Sequence, residues 1–184
     1  MAERTIIRVD LPEDAVGEAR AYSDAILANP HIQPGGNYTG LEKGERFFVG
    51  YLGEWAFRQW LMDTKVHSFN WGRRTDGKAD EHDFKVGSTT IDIKTSDHPK
   101  ARFLMMPEVQ LSRTRSETLV GCTLNLDLDD MFALLWGSIQ TNQFRAISAL
   151  THRKIATREI LLEQLPASMG DLQSYLNVAT LPMP

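Results

Sequence analysis

The chain has 184 residues, of which 42% are hydrophobic and 24% charged, as is typical of one globular domain with a real core. A single cysteine, Cys122 in an apolar run, excludes an internal disulfide and a multi-cysteine zinc site. The sequence shows neither the apolar stretch of a secretory signal nor an apolar run of membrane-spanning length. We therefore expect a cytoplasmic protein without membrane contact, and a core position for Cys122.

The net charge is acidic but unevenly distributed. The chain as a whole carries a formal charge of -4 at pH 7, which argues against tight non-specific binding to nucleic acid. Residues 1–42 hold 3 Lys/Arg and 7 Asp/Glu, whereas residues 43–184 hold 17 of each. A local basic groove in the second part is therefore compatible with the overall acidity.

The first 42 residues predict a strand and a helix. Residues 5–10 are β-prone, and Pro-Glu-Asp at 12–14 begins a helix that extends to about residue 27. Asn29-Pro30 ends this helix, and residues 34–40 have the Pro, Gly and Asn content of a loop. We interpret residues 1–42 as an N-terminal helical extension and residues 43–184 as the main domain.

The next segment predicts a long helix followed by short strands. Residues 43–63 carry aromatic and aliphatic side chains at helical spacing, which form a broad apolar stripe. Residues 66–71, 83–86 and 89–95 have the composition of strands, with a charged loop at 73–80.

The remainder alternates again between strands and helices. A short helix is predicted at 107–111, two longer strands at 118–126 and 131–139 with a turn between them, and a further strand at 145–150. Thr157 is predicted to N-cap a last helix that includes residues 160–165. This order predicts an α/β fold with a mixed central sheet flanked by helices.

The strands at 83–86 and 89–95 carry the residues of chemical interest. Gly87-Ser88 suits a two-residue type II′ hairpin turn, which would place Asp83 directly opposite Asp92. Side chains alternate between the faces of a strand, so both aspartates and Lys94 share one face. The other face is apolar and is predicted to be the core side; it carries Phe84, Val86, Ile91 and Ile93.

Two facing carboxylates require a compensating charge. Their Cβ atoms would lie roughly 4.5–5.5 Å apart, and like charges at that distance repel each other. A divalent cation relieves the repulsion, because Mg²⁺ and Mn²⁺ prefer carboxylate oxygens. Lys94, two residues after Asp92, would reach a water or a phosphate bound there. The pattern indicates a phosphodiester hydrolase; the alternative is a solvated sheet face held by ion pairs.

These residues resemble the PD-(D/E)XK nuclease superfamily, which includes many restriction enzymes, phage-type exonucleases and Holliday junction resolvases. The motif of that family is an acid followed, after a short gap, by acid-x-Lys on adjacent strands, and Asp83, Asp92 and Lys94 match it. His82 stands where the family name implies proline. The resemblance covers roughly residues 43–150 and implies a restriction endonuclease-like core: a helix, three strands, a helix and a further strand.

The resemblance also implies an activity and residue roles. The activity is hydrolysis of DNA by a Mg²⁺- or Mn²⁺-dependent nuclease, in processing, repair or defence and of phage or bacterial origin, leaving 5′-phosphate and 3′-hydroxyl ends. Asp83, Asp92 and the carbonyl of Ile93 would bind the metal, and Lys94 would position the nucleophile. Glu54, on the helix before the strands, would bind the metal directly or through water. Gln110, on the helix after them, is a further catalytic candidate.

Contacts to DNA phosphates require basic side chains near the site. The candidates, each of which is alone more often a solvated surface charge, are Arg73, Arg74, Lys78, Lys100, Arg102, Arg113 and Arg115. Two other functions stay open: a DNA- or protein-binding module that does not cleave, and a ribonuclease. A homodimer built through residues 1–42 is a further alternative.

Overall fold

The structure is a computed structural model. The residues that it describes are 5–29, 43–66, 68–72, 82–152 and 155–179. Of the sequence predictions, the loops at 34–40 and 73–80 lie outside these ranges. Within them, no helix is long and apolar enough to cross a membrane.

The described chain contains nine strands, five α-helices and one short 3₁₀ helix at Leu162–Gln164. In chain order the elements are β1 (Ile7–Asp10), α1 (Glu13–Ala28), α2 (Lys43–Asp63), β2 (Phe69–Trp71), β3 (Phe84–Val86), β4 (Thr89–Ser96), β5 (Phe103–Pro107), α3 (Glu108–Leu111), β6 (Thr118–Asn125), β7 (Phe132–Gln140), α4 (Thr141–Ile147), β8 (Ala149–His152), β9 (Ala156–Leu161) and α5 (Met169–Ala179).

Six strands form a mixed sheet in the order β1-β7-β6-β4-β3-β2. β4 and β6 run parallel, and every other neighbouring pair in this sheet is antiparallel. A second, three-stranded antiparallel sheet has the order β5-β9-β8. The predicted α/β fold, with a mixed sheet flanked by helices, is therefore confirmed.

Two hydrophobic clusters cover the two faces of the large sheet. The first combines α1, α2 and α5 with inward side chains such as Phe84, Ile91 and Ile93. The second lies on the other face, where Leu119 and Ile139 pack against β5, β9 and the short helices α3 and α4. Because both faces are covered, some polar side chains of the central strands, such as Asp92 and Thr118, are buried and require partners.

A close contact sets the distance between α2 and β4. A Cβ atom added at Gly53 would lie 1.9 Å from Thr95 Oγ1, so any larger residue there would push the helix away from the strand. The first face of β4 is therefore fixed against α2 by a residue with no side chain. The opposite face of the same strand holds the candidate site.

Two predicted elements near the C-terminus are wrong. The predicted strand at 145–150 is instead the end of α4 followed by β8. Phe144 is fully buried in the second cluster, and tertiary packing of this kind overrides weak local propensity. The helix predicted from Thr157 is strand β9, since β5 and β8 pair with it on both sides. The sequence interpretation identified neither β5 nor α5.

Candidate functional site

The hairpin that carries the motif has the predicted register from Phe84 to Val86, but the ladder ends before the predicted Asp83–Asp92 pair. Phe84 pairs with Ile91 and Val86 pairs with Thr89. Gly87 has φ 60, and Ser88 is not among the residues of positive φ, as a type II′ turn requires. The glycine therefore supplies the backbone conformation that sets which residues of the two strands face each other.

The two faces of β4 separate as the alternation predicts. Ile91 and Ile93 belong to the first cluster, under α2. Asp92 is paired laterally with Leu119 of β6, which belongs to the second cluster. Lys94, two residues further along, shares the face of Asp92. The acid and the lysine thus project together toward the side covered by the smaller sheet and α3.

The carboxylate of Asp92 is buried and fully engaged. Ser116 Oγ donates to its Oδ1 at 2.7 Å, and Thr114 Oγ1 donates to its Oδ2 at 2.9 Å. Lys94 Nζ lies 3.3 Å from the same Oδ2, and only 11% of the Asp92 side chain and 16% of the Lys94 side chain are exposed. Three groups from two segments therefore hold this charge in one position.

The pKa of Asp92 is lowered by these partners. Burial, the largest single influence, would raise the pKa, but the charge of Lys94 and the hydrogen bonds from Ser116 and Thr114 lower it further than burial raises it. The carboxyl group is consequently ionised at neutral pH. An ionised carboxylate is the form that can ligate a cation.

Asp83 lies just before β3 and reaches β4 through its side chain. Its backbone N–H donates to the carbonyl of Ile91 at 3.1 Å, and its Oδ2 accepts a hydrogen bond from the backbone N–H of Ile93 at 2.6 Å. The Asp83 carboxylate thus accepts a hydrogen bond from the backbone of β4 at a position where β3 no longer pairs with that strand. It is held at the residue directly after Asp92.

The donor set suits a cation that keeps several water ligands. Among the described residues there is no group of three or more His, Cys, Asp or Glu side chains placed to hold a metal ion. The Asp83 carboxylate accepts a hydrogen bond from the N–H of Ile93, the residue directly after Asp92. The N–H and C=O of one strand residue point to the same edge, so the Ile93 carbonyl faces the side of Asp83. One or two carboxylates completed by water and phosphate is the usual Mg²⁺ arrangement, and these residues fit it.

Glu54 occupies a different place from the two aspartates. Its Oε2 accepts a hydrogen bond from Trp71 Nε1 at 2.9 Å. The Trp71 ring stacks on Phe84, with centroids 5.7 Å apart, on the side of the first cluster. The structure therefore does not bring the Glu54 carboxylate into one group with Asp83 and Asp92, and its metal-binding role stays a prediction.

Gln110 is exposed on α3, whose last turn leads into the segment that holds Asp92. Its backbone carbonyl accepts hydrogen bonds from the N–H groups of Arg113 and Thr114, at 3.0 and 2.9 Å. Gln110 thus fixes the start of that segment through its backbone, and a catalytic role of its side chain stays a prediction.

The basic candidates fall into three sets. Arg113 and Arg115 are exposed on either side of Thr114. Lys100 and Arg102 line a cleft beyond the end of β4. The predictions for the remaining three, Arg73, Arg74 and Lys78, lie outside the described residues.

Sequence interpretation missed Thr114 and Ser116. Both precede β6 and have no catalytic motif around them. Their alternation, with exposed Arg115 between them, is the one available signal, since it places two hydroxyls on the same side of an extended segment. Only the parallel pairing of β4 with β6 shows that this side faces Asp92.

Cys122 is buried, as predicted. Burial raises the pKa of its thiol from 9.0 to about 12, although a hydrogen bond with Thr95 lowers it slightly. A thiol with so high a pKa is inert at neutral pH.

The chain was compared with protein-family models, with curated proteins and with solved structures, and none of the three comparisons found a match.

Proposed function

We propose that this protein is a Mg²⁺- or Mn²⁺-dependent nuclease that hydrolyses phosphodiester bonds in DNA. The observation that carries the proposal is the constellation on β4. Asp92 and Lys94 share one face with 3.3 Å between Nζ and Oδ2, and the carboxylate of Asp83 reaches the same strand at the Ile93 amide. A metal held by carboxylates can activate a water for phosphodiester hydrolysis, and a lysine beside it can stabilise the charge that develops on the phosphate.

The order of elements supports a restriction endonuclease-like core. From α2 onward the chain runs through β2, β3 and β4, then α3, then β6, which lies parallel to β4. This is the sequence of helix, three strands, helix and strand that the PD-(D/E)XK resemblance implies, with β5 inserted before α3. The acid-x-lysine segment lies on the third of the three strands, as it does in that family's pattern.

The roles of the residues follow from their surroundings. Asp83, Asp92 and the Ile93 carbonyl would hold the cation, which would lower the pKa of a bound water and stabilise charge on the leaving oxygen. Thr114 and Ser116 keep the Asp92 carboxylate in one orientation, as partners of metal-binding carboxylates generally do. Lys94 Nζ, a donor of three hydrogen bonds, would orient the attacking water and neutralise charge that develops on the phosphate.

A binding module that does not cleave is the second candidate, and one observation favours it. Each of the acids predicted to bind the metal already accepts a hydrogen bond within the protein: Asp92 from Thr114 and Ser116, Asp83 from Ile93, and Glu54 from Trp71. Carboxylates with a purely structural or binding role would accept the same hydrogen bonds.

The test is a cleavage assay on plasmid DNA, single-stranded DNA and RNA, with Mg²⁺ or Mn²⁺ and with EDTA. We expect cleavage of DNA only when the metal is present, and products with 5′-phosphate ends. Asp92→Asn and Lys94→Met should each lower the rate by roughly 100-fold or more, because loss of outer partners of a metal ligand alone costs about 10- to 100-fold. Preferential cleavage of RNA would show that the substrate is RNA, while the proposed metal-dependent hydrolysis would stand.

Asp129→Asn is the matched control, since it removes an exposed carboxylate from the turn between β6 and β7. It should cleave like the wild type. Intact nucleic acid in every metal-containing reaction, at protein concentrations that bind it, would establish the binding module instead.

A further inference from the structure

A small cleft lies on the sheet face of Asp92 and Lys94, beyond the end of β4. It has a volume of about 230 Å³ and is lined by Pro99, Lys100, Ala101, Arg102, Trp136, Leu162 and Glu163. Pockets that enclose whole drug-sized ligands measure about 300–1,000 Å³, so this cleft suits a smaller group. The lining combines one aromatic ring, two cations and one carboxylate.

The floor of the cleft is Trp136, which occupies a β-bulge. Gly121 of β6 pairs with Gly137, whereas the next residue, Cys122, pairs with Leu135, so Trp136 is the extra residue of β7. Gly137 has φ 146, a conformation that favours glycine. Bulges of this kind occur next to active sites, where they direct a side chain.

The ring of Trp136 is held in one orientation. Its Nε1 donates to Thr123 Oγ1 at 3.0 Å, and part of the ring packs against the second cluster. The residue is only partly buried and is one of the residues that line the cleft. A fixed, partly exposed indole can bind a flat ligand with little loss of side-chain entropy.

The walls of the cleft are ordered and connect directly to the candidate site. The loop after β4 is folded around His98, whose carbonyl and Nδ1 accept hydrogen bonds from the N–H groups of Ala101 and Lys100, both at 3.0 Å. The carbonyl of Arg102 accepts a hydrogen bond from the N–H of Leu162 at 2.7 Å. Lys100 and Arg102 are thus placed by the backbone at the mouth of the cleft, with their side chains exposed.

The distance between Lys94 and the cleft can be estimated from the number of strands that separate them. Lys94 is paired with Gly121, and Gly121 with Gly137, the neighbour of Trp136. Adjacent strands lie about 4.8 Å apart, so the floor of the cleft is roughly 10 Å from Lys94 across the sheet. That separation is short enough for neighbouring nucleotides of one strand to contact both places.

We propose that this cleft binds one unpaired nucleotide of the nuclease substrate, with its base stacked on Trp136 and its phosphates near Lys100 and Arg102. The inference rests on the proposed function and specifies its substrate as a strand that is single-stranded next to the cleavage site. Proteins bind such strands by combining aromatic platforms with basic grooves. Glu163 favours a nucleotide over a bare phosphate, because a carboxylate repels phosphate and accepts hydrogen bonds from base amino groups.

The test measures binding of fluorescent oligonucleotides by anisotropy in EDTA, so that no cleavage occurs. Single-stranded DNA, single-stranded RNA and duplex DNA of one sequence form the first set; a second set carries a single abasic site at successive positions. We expect the single strands to bind more tightly than the duplex. We also expect one abasic position to weaken wild-type binding roughly 5- to 150-fold, the range for loss of one stacked base.

Variants then assign the effect to the cleft. Trp136→Leu should bind intact and abasic oligonucleotides equally, whereas Trp136→Phe should keep part of the difference. Arg102→Ala should weaken binding to every oligonucleotide and reduce the salt dependence by about one phosphate contact. The control is Lys65→Gly, which removes an exposed lysine at the end of α2, at a backbone position of φ 64, and should leave binding unchanged. Melting curves report whether each variant is folded.

The outcomes separate this inference from the proposed function. If no abasic position matters in the wild type, the cleft does not bind a base, even when Mg²⁺-dependent cleavage is observed. If the Trp136 effects occur without any cleavage, the cleft is a nucleotide site and the nuclease proposal falls. If no oligonucleotide binds in EDTA, this inference is overturned, and the proposed function is decided by the cleavage assay with Mg²⁺ or Mn²⁺.

Discussion

The two faces of β4 contrast sharply within one strand of eight residues. On the first face Ile91 and Ile93 are packed in a dry cluster under α2, and Gly53 allows the helix to touch Thr95. On the second face Asp92 and Lys94 are also largely covered, but Asp92 is bound by the hydroxyl groups of Thr114 and Ser116 and by Lys94. The contrast teaches that burial alone does not distinguish a core from a site, whereas the chemistry of the partners does.

The largest effect should come from leaving one charge of the second face unpaired. Asp92→Ala removes the carboxylate beside Lys94, whose side chain is only 16% exposed. Breaking a buried ion pair by removing one partner costs about 3–5 kcal/mol. Urea denaturation in EDTA should show a loss of that size. A loss below about 1 kcal/mol, the value typical of surface pairs, would mean that the second face is in effect solvated.

The first face should be sensitive to volume instead of charge. Gly53→Ala would place a methyl group against Thr95, so we expect α2 to shift and stability to fall by about 1–3 kcal/mol. Gly50→Ala is the control on the same helix, because no atom lies within 4 Å of a Cβ there. That change should be neutral, or stabilise the helix by up to about 1 kcal/mol. Equal unfolding midpoints for the two variants would contradict the contact.

A milder change on the second face removes one hydroxyl. Ser116→Ala deletes the 2.7 Å hydrogen bond to Asp92 Oδ1, and hydrogen bonds to charged groups contribute about 1.5–3 kcal/mol. We expect a loss near the lower end, because Thr114 and Lys94 still hold the other oxygen. Ser112→Ala, in the same segment but exposed, should cost less by the same denaturation measurement.

The smallest effect concerns the thiol of Cys122 and depends on pH. The pKa is about 12 in the folded protein and 9.0 ordinarily, so the unfolded chain releases this proton first as the pH rises. Stability is therefore unaffected below pH 9 and declines between pH 9 and 12. Between pH 8 and 10 the wild type should lose roughly 1 kcal/mol more than Cys122→Ala. If the stabilities of the wild type and Cys122→Ala change equally with pH, the Cys122 thiol ionises as easily in the folded protein as in the unfolded chain.

Local patterns were sufficient for the hairpin and for the first face. Gly87-Ser88 and the alternation of Asp92 with its apolar neighbours predict the register that the structure has, because turn type and side-chain period are properties of adjacent residues. The length of α2 follows from its apolar stripe in the same way.

Partners that are distant in the chain could not be found by the same reasoning. Ser116 contacts Asp92 only because β6 lies parallel to β4, and the sequence between these strands carries no signal of that pairing. The local sequence of β9 predicts a helix, because its character as a strand comes from β5 and β8 on either side. Such features depend on packing between remote segments, which a local pattern does not specify.

The parallel pairing of β4 with β6 has a consequence for synthesis of the protein on the ribosome. Parallel neighbours require the intervening chain to return across the sheet, and Thr114 and Ser116 belong to that returning stretch. A nascent chain that has emerged only as far as residue 113 therefore contains both aspartates and the lysine but not the hydroxyls that hold Asp92. The site becomes complete only when translation has passed the stretch that leads into β6.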